Sequence, residues 1–94
     1  MESALRSESV EIYSDAANAA ILRHPGRRFP GVLIQGDTLH EMLRQVARIQ
    51  EVASDLLPPD QCDELSDLHE HLTELVAHFK RVLSEHNISL PFVE

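Results

Sequence analysis

The histidines of this chain are the first residues to test for chemistry, because imidazole is a common metal ligand and general base. The chain has six histidines, and three of them lie near a glutamate in the C-terminal half: His69, His71, Glu74 and His78. In a helix, His71 and His78 would lie about 10 Å apart along the axis, too far to bind one ion. The HExxH motif of zinc enzymes is absent from the sequence. We therefore expect solvent-facing histidines on an acidic helix, with no metal and no other cofactor.

Nucleophilic and phosphate-binding sites are not predicted either. Cys62 is a single thiol among acidic residues, a setting that does not activate a nucleophile. Gly36 leads into a predicted helix, as in phosphate-binding loops, but Asp37 would repel a phosphate group. We therefore expect that the protein is not an enzyme.

Charge is distributed unevenly along the chain, whose formal net charge at pH 7 is -8. Residues 16–36 contain three arginines and no acid, whereas residues 51–74 contain eight acids and no base. A guanidinium pair can clamp a carboxylate, and an acidic helix can dock a basic protein. The plainer alternatives are an exposed hairpin tip and a solvated helix face. The residues predicted to bind a partner are Arg23, Arg27, Arg28, Asp60, Asp63, Asp67, Glu70 and Glu74.

Length and composition exclude several other classes of protein. Ninety-four residues predict a single domain, and an acidic chain is a poor ligand for nucleic acid. One cysteine rules out an internal disulfide framework and suits a reducing compartment. The first residues have no signal-peptide pattern, and no apolar run is long enough to cross a membrane. We therefore expect a cytoplasmic protein.

The N-terminal third predicts short strands. Residues 10–13 alternate apolar and polar side chains, and two Pro-Gly pairs mark turns. Residues 19–23 fit a strand, although a short helix capped by Ser14 fits the alanines of residues 15–23 as well; the strand is favoured. The apolar run at residues 32–34 predicts a buried strand.

The rest of the chain predicts two helices, because apolar residues recur every three or four positions. The first is expected at about 38–56, with Thr38 and Glu41 as a capping box or Asp37 as the N-cap residue. Prolines 58 and 59 end it, and the second helix is expected at about 60–86 with Asn87 as its C-cap.

The expected fold class is α+β. It consists of a small three-stranded antiparallel sheet, at about 9–14, 19–24 and 31–35, covered by an antiparallel pair of helices. Within one domain of residues 1–94, we expect disorder in residues 1–8, a β-rich part at 9–36, a helical hairpin at 37–87 and a tail at 88–94 that packs back.

Two resemblances add to this description. The stretch VEIYSDAANAAILRHPGRRFPGVLIQGDTL, residues 10–39, resembles a family of small bacterial proteins of unknown function. A shorter part, Pro30-Gly31 and then Gly36-Asp37-Thr38-Leu39, is similar to a segment of HicB-type antitoxins, which joins a strand to a helix in a domain that binds and blocks a toxin. Here a second long helix replaces the strand expected next. The second resemblance implies a binding protein.

The sequence thus predicts a small, non-catalytic, acidic binding protein of the immunity or antitoxin type, with a basic protein as the favoured partner. The alternative is a structural adaptor that self-associates through its helices, for instance where Ile49 and Val52 or Leu56 and Leu57 are exposed. A third, less favoured hypothesis is an anionic-ligand binder that uses Arg27 and Arg28. Neither nucleic acid nor membrane is an expected partner.

Overall fold

The computed structural model describes residues 4–94. It contains three strands followed by two helices: β1 (Glu11–Ser14), β2 (Ala20–Arg23), β3 (Gly31–Leu33), α1 (Gly36–Leu56) and α2 (Pro59–Glu85). The predicted α+β class, with a three-stranded antiparallel sheet and two helices, is confirmed. The chain forms two compact units, the first ending at Gln35 and the second running from Gly36 to Glu94. Residues 1–3 of the segment expected to be disordered lie outside the described residues, and residues 4–10 form neither helix nor strand.

The first unit is an antiparallel sheet in the order β1-β2-β3. Ala20–Arg23 is its central strand and pairs on both sides, so the strand interpretation of this segment is confirmed. These two sets of cross-strand partners outweigh the helix propensity of the neighbouring alanines. The register shifts between Ile12 and Ser14, which leaves Tyr13 as an extra residue in β1.

The strands are shorter than predicted, because β1 and β3 extend only as far as the residues that pair with the four-residue central strand β2. Ala20 pairs with Leu33 and Arg23 pairs with Glu11, so residues beyond these pairs have no partner in the central strand. The prediction that residues 32–34 are buried is wrong, since all three side chains are exposed. They follow the pattern of an interior strand, but β3 is an edge strand of a very small sheet.

Helix α1 begins two residues earlier than predicted, at Gly36, so the capping box does not form. Thr38 lies inside the first turn, where its backbone N–H donates to Asp37 Oδ1 at 2.9 Å. Glu41 instead accepts a hydrogen bond from Arg48 Nη2, two turns along the helix, at 3.2 Å.

Prolines at the start of helix α2 and an asparagine just after its end determine where the helix begins and ends. Pro58 is its extended N-cap and Pro59 its first residue, a position that needs no N–H donor. At the other end, Asn87 adopts a left-handed conformation with φ of 57°, one residue beyond the C-cap His86. The Asn87 N–H bonds to the Ser84 carbonyl and the Ile88 N–H to the Leu83 carbonyl, at 3.2 and 2.9 Å, which is a Schellman motif.

The two helices form an antiparallel hairpin. Gly36, at the start of α1, lies against Phe79 near the end of α2. Further along, Gln50 Nε2 donates to Ser66 Oγ at 2.9 Å, and the hairpin closes where Cys62 Sγ approaches the Ala53 carbonyl at 3.5 Å. The hydrophobic residues buried among the described residues all belong to this hairpin: Ala53, Leu72 and Val76.

The C-terminal tail packs against the same hairpin. The rings of His40 and Phe92 stack with centroids 3.9 Å apart and planes 9° apart. Phe92 also lies 6.3 Å, centroid to centroid, from Phe79. The last residue, Glu94, pairs with Lys80. Aromatic stacking and one ion pair therefore hold the tail to both helices.

Candidate functional site

Five acidic side chains share one side of α2, and we call them the acidic face. Their spacing of three and four residues keeps them within about a quarter of the helix circumference. All five are exposed, and the buried residues Leu72 and Val76 lie on the other side of the helix. The acidic face consists of Asp60, Asp63, Asp67, Glu70 and Glu74.

No acid of this face forms an ion pair with any residue between 4 and 94. The nearest bases along α2 are otherwise engaged: Lys80 pairs with Glu94, and Arg81 Nη2 lies 2.7 Å from His78 Nδ1. The hairpin therefore presents five uncompensated carboxylates to solvent on a rigid helical scaffold. Five neighbouring carboxylates without cationic partners give this side of α2 a negative electrostatic potential.

The three predicted arginines are in the first unit, and they do not share one role. Arg23, at the end of β2, donates from Nε to Glu11 Oε1 at 2.6 Å and from Nη1 to the Arg27 carbonyl at 3.1 Å. Arg23 therefore holds β1 to β2 and to the connection that follows. Arg27 and Arg28 lie in that connection, and the Arg28 guanidinium stands 5.5 Å from the centroid of the Phe29 ring.

Arg27 and Arg28 also line an open cleft of about 460 Å³, which the sequence analysis missed. Its walls are mainly apolar, and His24 lies at its edge with Nδ1 accepting the Gly26 N–H at 3.0 Å. An apolar cleft beside two guanidinium groups can take an amphipathic anion. The sequence feature that could have indicated this cleft is Phe29, an aromatic residue between the arginine pair and Pro30. The cleft is lined by Leu22, His24, Arg27, Arg28, Phe29, Gly31, Val32 and Leu33.

The Arg23–Glu11 pair leads to a prediction about pH. The hydrogen bond from Arg23 lowers the pKa of Glu11 below its ordinary value of 4.5, and the Tyr13 hydroxyl, which donates at 3.0 Å, acts in the same direction. Because folding lowers this pKa, the pair contributes stability above the unfolded-state value, and the contribution is lost as pH falls through the folded-state value. In Arg23→Gln we expect the Glu11 pKa to rise towards its ordinary value, measured by NMR titration of the side-chain carboxyl carbon. Tyr13→Phe should give a smaller rise, and an unchanged pKa in Arg23→Gln would show that the pair does not persist in solution.

A third surface feature is a shallow groove along α1, of about 630 Å³. The groove is mostly apolar and lies on the part of α1 that α2 leaves uncovered. It is lined by Gln45, Arg48, Ile49, Val52 and Leu56.

The histidines and the cysteine were the residues considered first for metal binding and nucleophilic chemistry. Within residues 4–94, no three His, Cys, Asp or Glu side chains are arranged to hold a metal ion. Cys62 is half-buried between the helices, where Sγ approaches the carbonyl oxygens of Ala53 and Leu57. Neither described helix has an apolar stretch long enough for a membrane crossing.

The fold and surfaces define a small α+β protein with an acidic helical hairpin. The chain belongs to the family of unknown function DUF6959, whose model matches residues 5–92. This match confirms the resemblance to a family of unknown function seen in residues 10–39, but the similarity to HicB-type antitoxins is not confirmed. No curated protein and no solved structure matches the chain.

Proposed function

We propose that this protein is a non-catalytic binding protein that docks a basic protein partner on its acidic face, in the manner of an immunity protein or antitoxin. The observation that carries the proposal is the exposure of Asp60, Asp63, Asp67, Glu70 and Glu74 on one side of α2 without ion-pair partners among residues 4–94. These are the same acids that the sequence analysis selected.

The physical basis is electrostatic complementarity. Two surfaces of opposite charge meet faster than neutral ones, and they exclude partners that would place like charges together. The helix already orders the backbone that carries the five carboxylates, so no backbone conformational entropy is lost on binding and only the side chains have to be ordered. The net charge of -8 adds a long-range attraction that is screened by salt.

The proposal places the protein in the bacterial cytoplasm, bound to a protein and not to nucleic acid or membrane. A toxin or other basic enzyme is the partner class that an acidic surface of this kind neutralises. Blocking such a partner needs affinity and correct placement but no catalytic group on this chain.

The test is a two-hybrid and co-purification screen against the products of the genes that neighbour the coding gene. We expect one basic protein to be recovered, with binding that weakens steeply as salt concentration rises. No partner, together with normal growth when each neighbour is overproduced, would contradict the proposal; so would an acidic partner or binding that salt does not affect.

A further inference from the structure

Helix α1 carries a second apolar stripe beside the one that faces α2. Its members follow the alternating three- and four-residue spacing of coiled-coil contact positions. Ile49, Val52 and Leu56 are 54%, 48% and 74% exposed, and Met42 is exposed as well. The stripe consists of Met42, Gln45, Ile49, Val52 and Leu56, and four of these residues line the groove on α1.

Helix α2 extends this surface. The hydrogen bond between Gln50 and Ser66 marks one edge of the helical hairpin. Helical spacing places the stripe of α1 on the opposite edge, and it places Leu68 and Leu75 there too. These two leucines are 47% and 53% exposed. We call the combined surface the open apolar face.

The hairpin buries very little for a unit of its length. Ala53, Leu72 and Val76 are its buried hydrophobic residues, and no large side chain among the described residues is fully buried. Small domains are marginally stable even with well-filled cores. Half-exposed Ile, Val and Leu side chains on one contiguous face are therefore typical of an interface between subunits.

We infer that a second copy of this chain binds the open apolar face, with α1 antiparallel to α1 of the second copy about a two-fold axis. An axis at the level of residues 50 and 51 places Ile49 opposite Val52 of the second copy, and Leu56 opposite Gln45. Two-fold symmetry forms each contact twice and closes the assembly as a dimer.

Charge favours this orientation. Arg48 and Asp55 flank the stripe on its solvent side, and the antiparallel register brings each Arg48 beside Asp55 of the second copy. In a parallel pair, coiled-coil geometry would instead place Arg48 beside Ala53. Asp55 has no ion-pair partner among residues 4–94, and Arg48 forms an exposed ion pair with Glu41 of the same helix, Nη2 to Oε1 at 3.2 Å. Asp55 is therefore available to a cation of the second copy. Arg48 can share its guanidinium with that carboxylate, because an exposed ion pair such as Arg48–Glu41 contributes little to stability.

The dimer does not depend on the proposed binding of a basic partner. The acidic face lies on the side of α2 away from both α1 and the open apolar face, so dimerisation leaves it exposed. A dimer presents two acidic faces, which would strengthen binding to a partner with two basic sites.

The first test is sedimentation equilibrium of the full chain. We expect a species of twice the 10.6 kDa chain mass at high micromolar concentration. Ile49→Asp should shift the protein to monomer with helical circular dichroism retained. A monomeric wild-type protein would overturn the inference, and so would an Ile49→Asp variant that remains dimeric.

The second test is charge reversal at Arg48 and Asp55. It distinguishes the antiparallel arrangement of the two α1 helices from a parallel one, and it does not change the core of the hairpin. Arg48→Asp alone or Asp55→Arg alone should raise the dissociation constant of the dimer roughly tenfold or more, because each places two like-charged pairs in the interface. The double variant restores both pairs and should return the constant to near the wild-type value.

The matched control uses Arg44→Asp and Glu51→Arg, which have the same seven-residue spacing but lie outside the seam. Neither control variant should change the dissociation constant by more than about twofold at moderate salt. Failure of the Arg48/Asp55 double variant to recover dimerisation, or equal weakening by the control variants, would overturn the antiparallel arrangement.

Discussion

Replacing Gly36 by alanine is expected to destabilise the helical hairpin by about 2 kcal/mol. A β-carbon at this buried position would stand 2.8 Å from Phe79 Cε1 and closer still to Cζ. The Phe79 ring cannot move freely, because Phe92 packs beside it and stacks in turn on His40. The helix propensity gained by alanine is at most about 1 kcal/mol and does not offset the clash.

The measurement is the free energy of unfolding from urea titration. Gly31→Ala is the matched control, because nothing lies within 4 Å of its added β-carbon, and its stability should stay within about 0.5 kcal/mol of the wild type. Phe79→Leu should recover part of the loss in the Gly36→Ala background. A Gly36→Ala variant as stable as the wild type would show that the start of α1 does not pack on Phe79 in solution.

Replacing Leu72 by alanine should cost about 3 kcal/mol, since the change removes buried methyl groups and leaves a cavity. Leu72 is only 7% exposed and is one of the few buried hydrophobic residues of the hairpin. In a unit with so small a core, a loss of this size is a large fraction of the total stability.

Leu68→Ala is the comparison, because it makes the same chemical change one helical turn earlier at a side chain that is 47% exposed. It should cost about 1 kcal/mol or less when measured at low protein concentration, where self-association does not contribute. Equal losses for the two variants would contradict the burial of Leu72.

The helices could be predicted closely because their determinants are local. Periodic apolar residues define both helices, and Pro58 and Pro59 separate them. The sheet order also follows from short strands joined by turns. The prediction of a capping box at Thr38 and Glu41 was wrong, although the local sequence fits that motif. The helix begins two residues earlier, at Gly36, where only glycine allows the close approach of Phe79.

The candidate site was predictable in part for the same reason. The acids of α2 share a face through spacing alone, so the sequence was enough to select them. The engagement of Arg23 by Glu11 depends on strand register, which the sequence does not specify for such short strands. The sequence analysis predicted self-association only for the case that apolar residues of a helix are exposed. Periodicity identifies the apolar residues of a helix, but it does not show which of them the partner helix covers.

The most direct test of the acidic face uses Asp63→Asn, Asp67→Asn and Glu70→Gln in one chain. Each change removes a negative charge with little change in size, so the fold should be retained. The matched control, Glu8→Gln, Asp15→Asn and Glu51→Gln, changes the net charge equally but lies outside the acidic face. The measurement is quantitative affinity capture from the native cells, with mass spectrometry of the recovered proteins. We predict that a basic partner recovered by the wild type and the control is lost from the acidic-face variant; equal recovery by all three chains would contradict the proposed function.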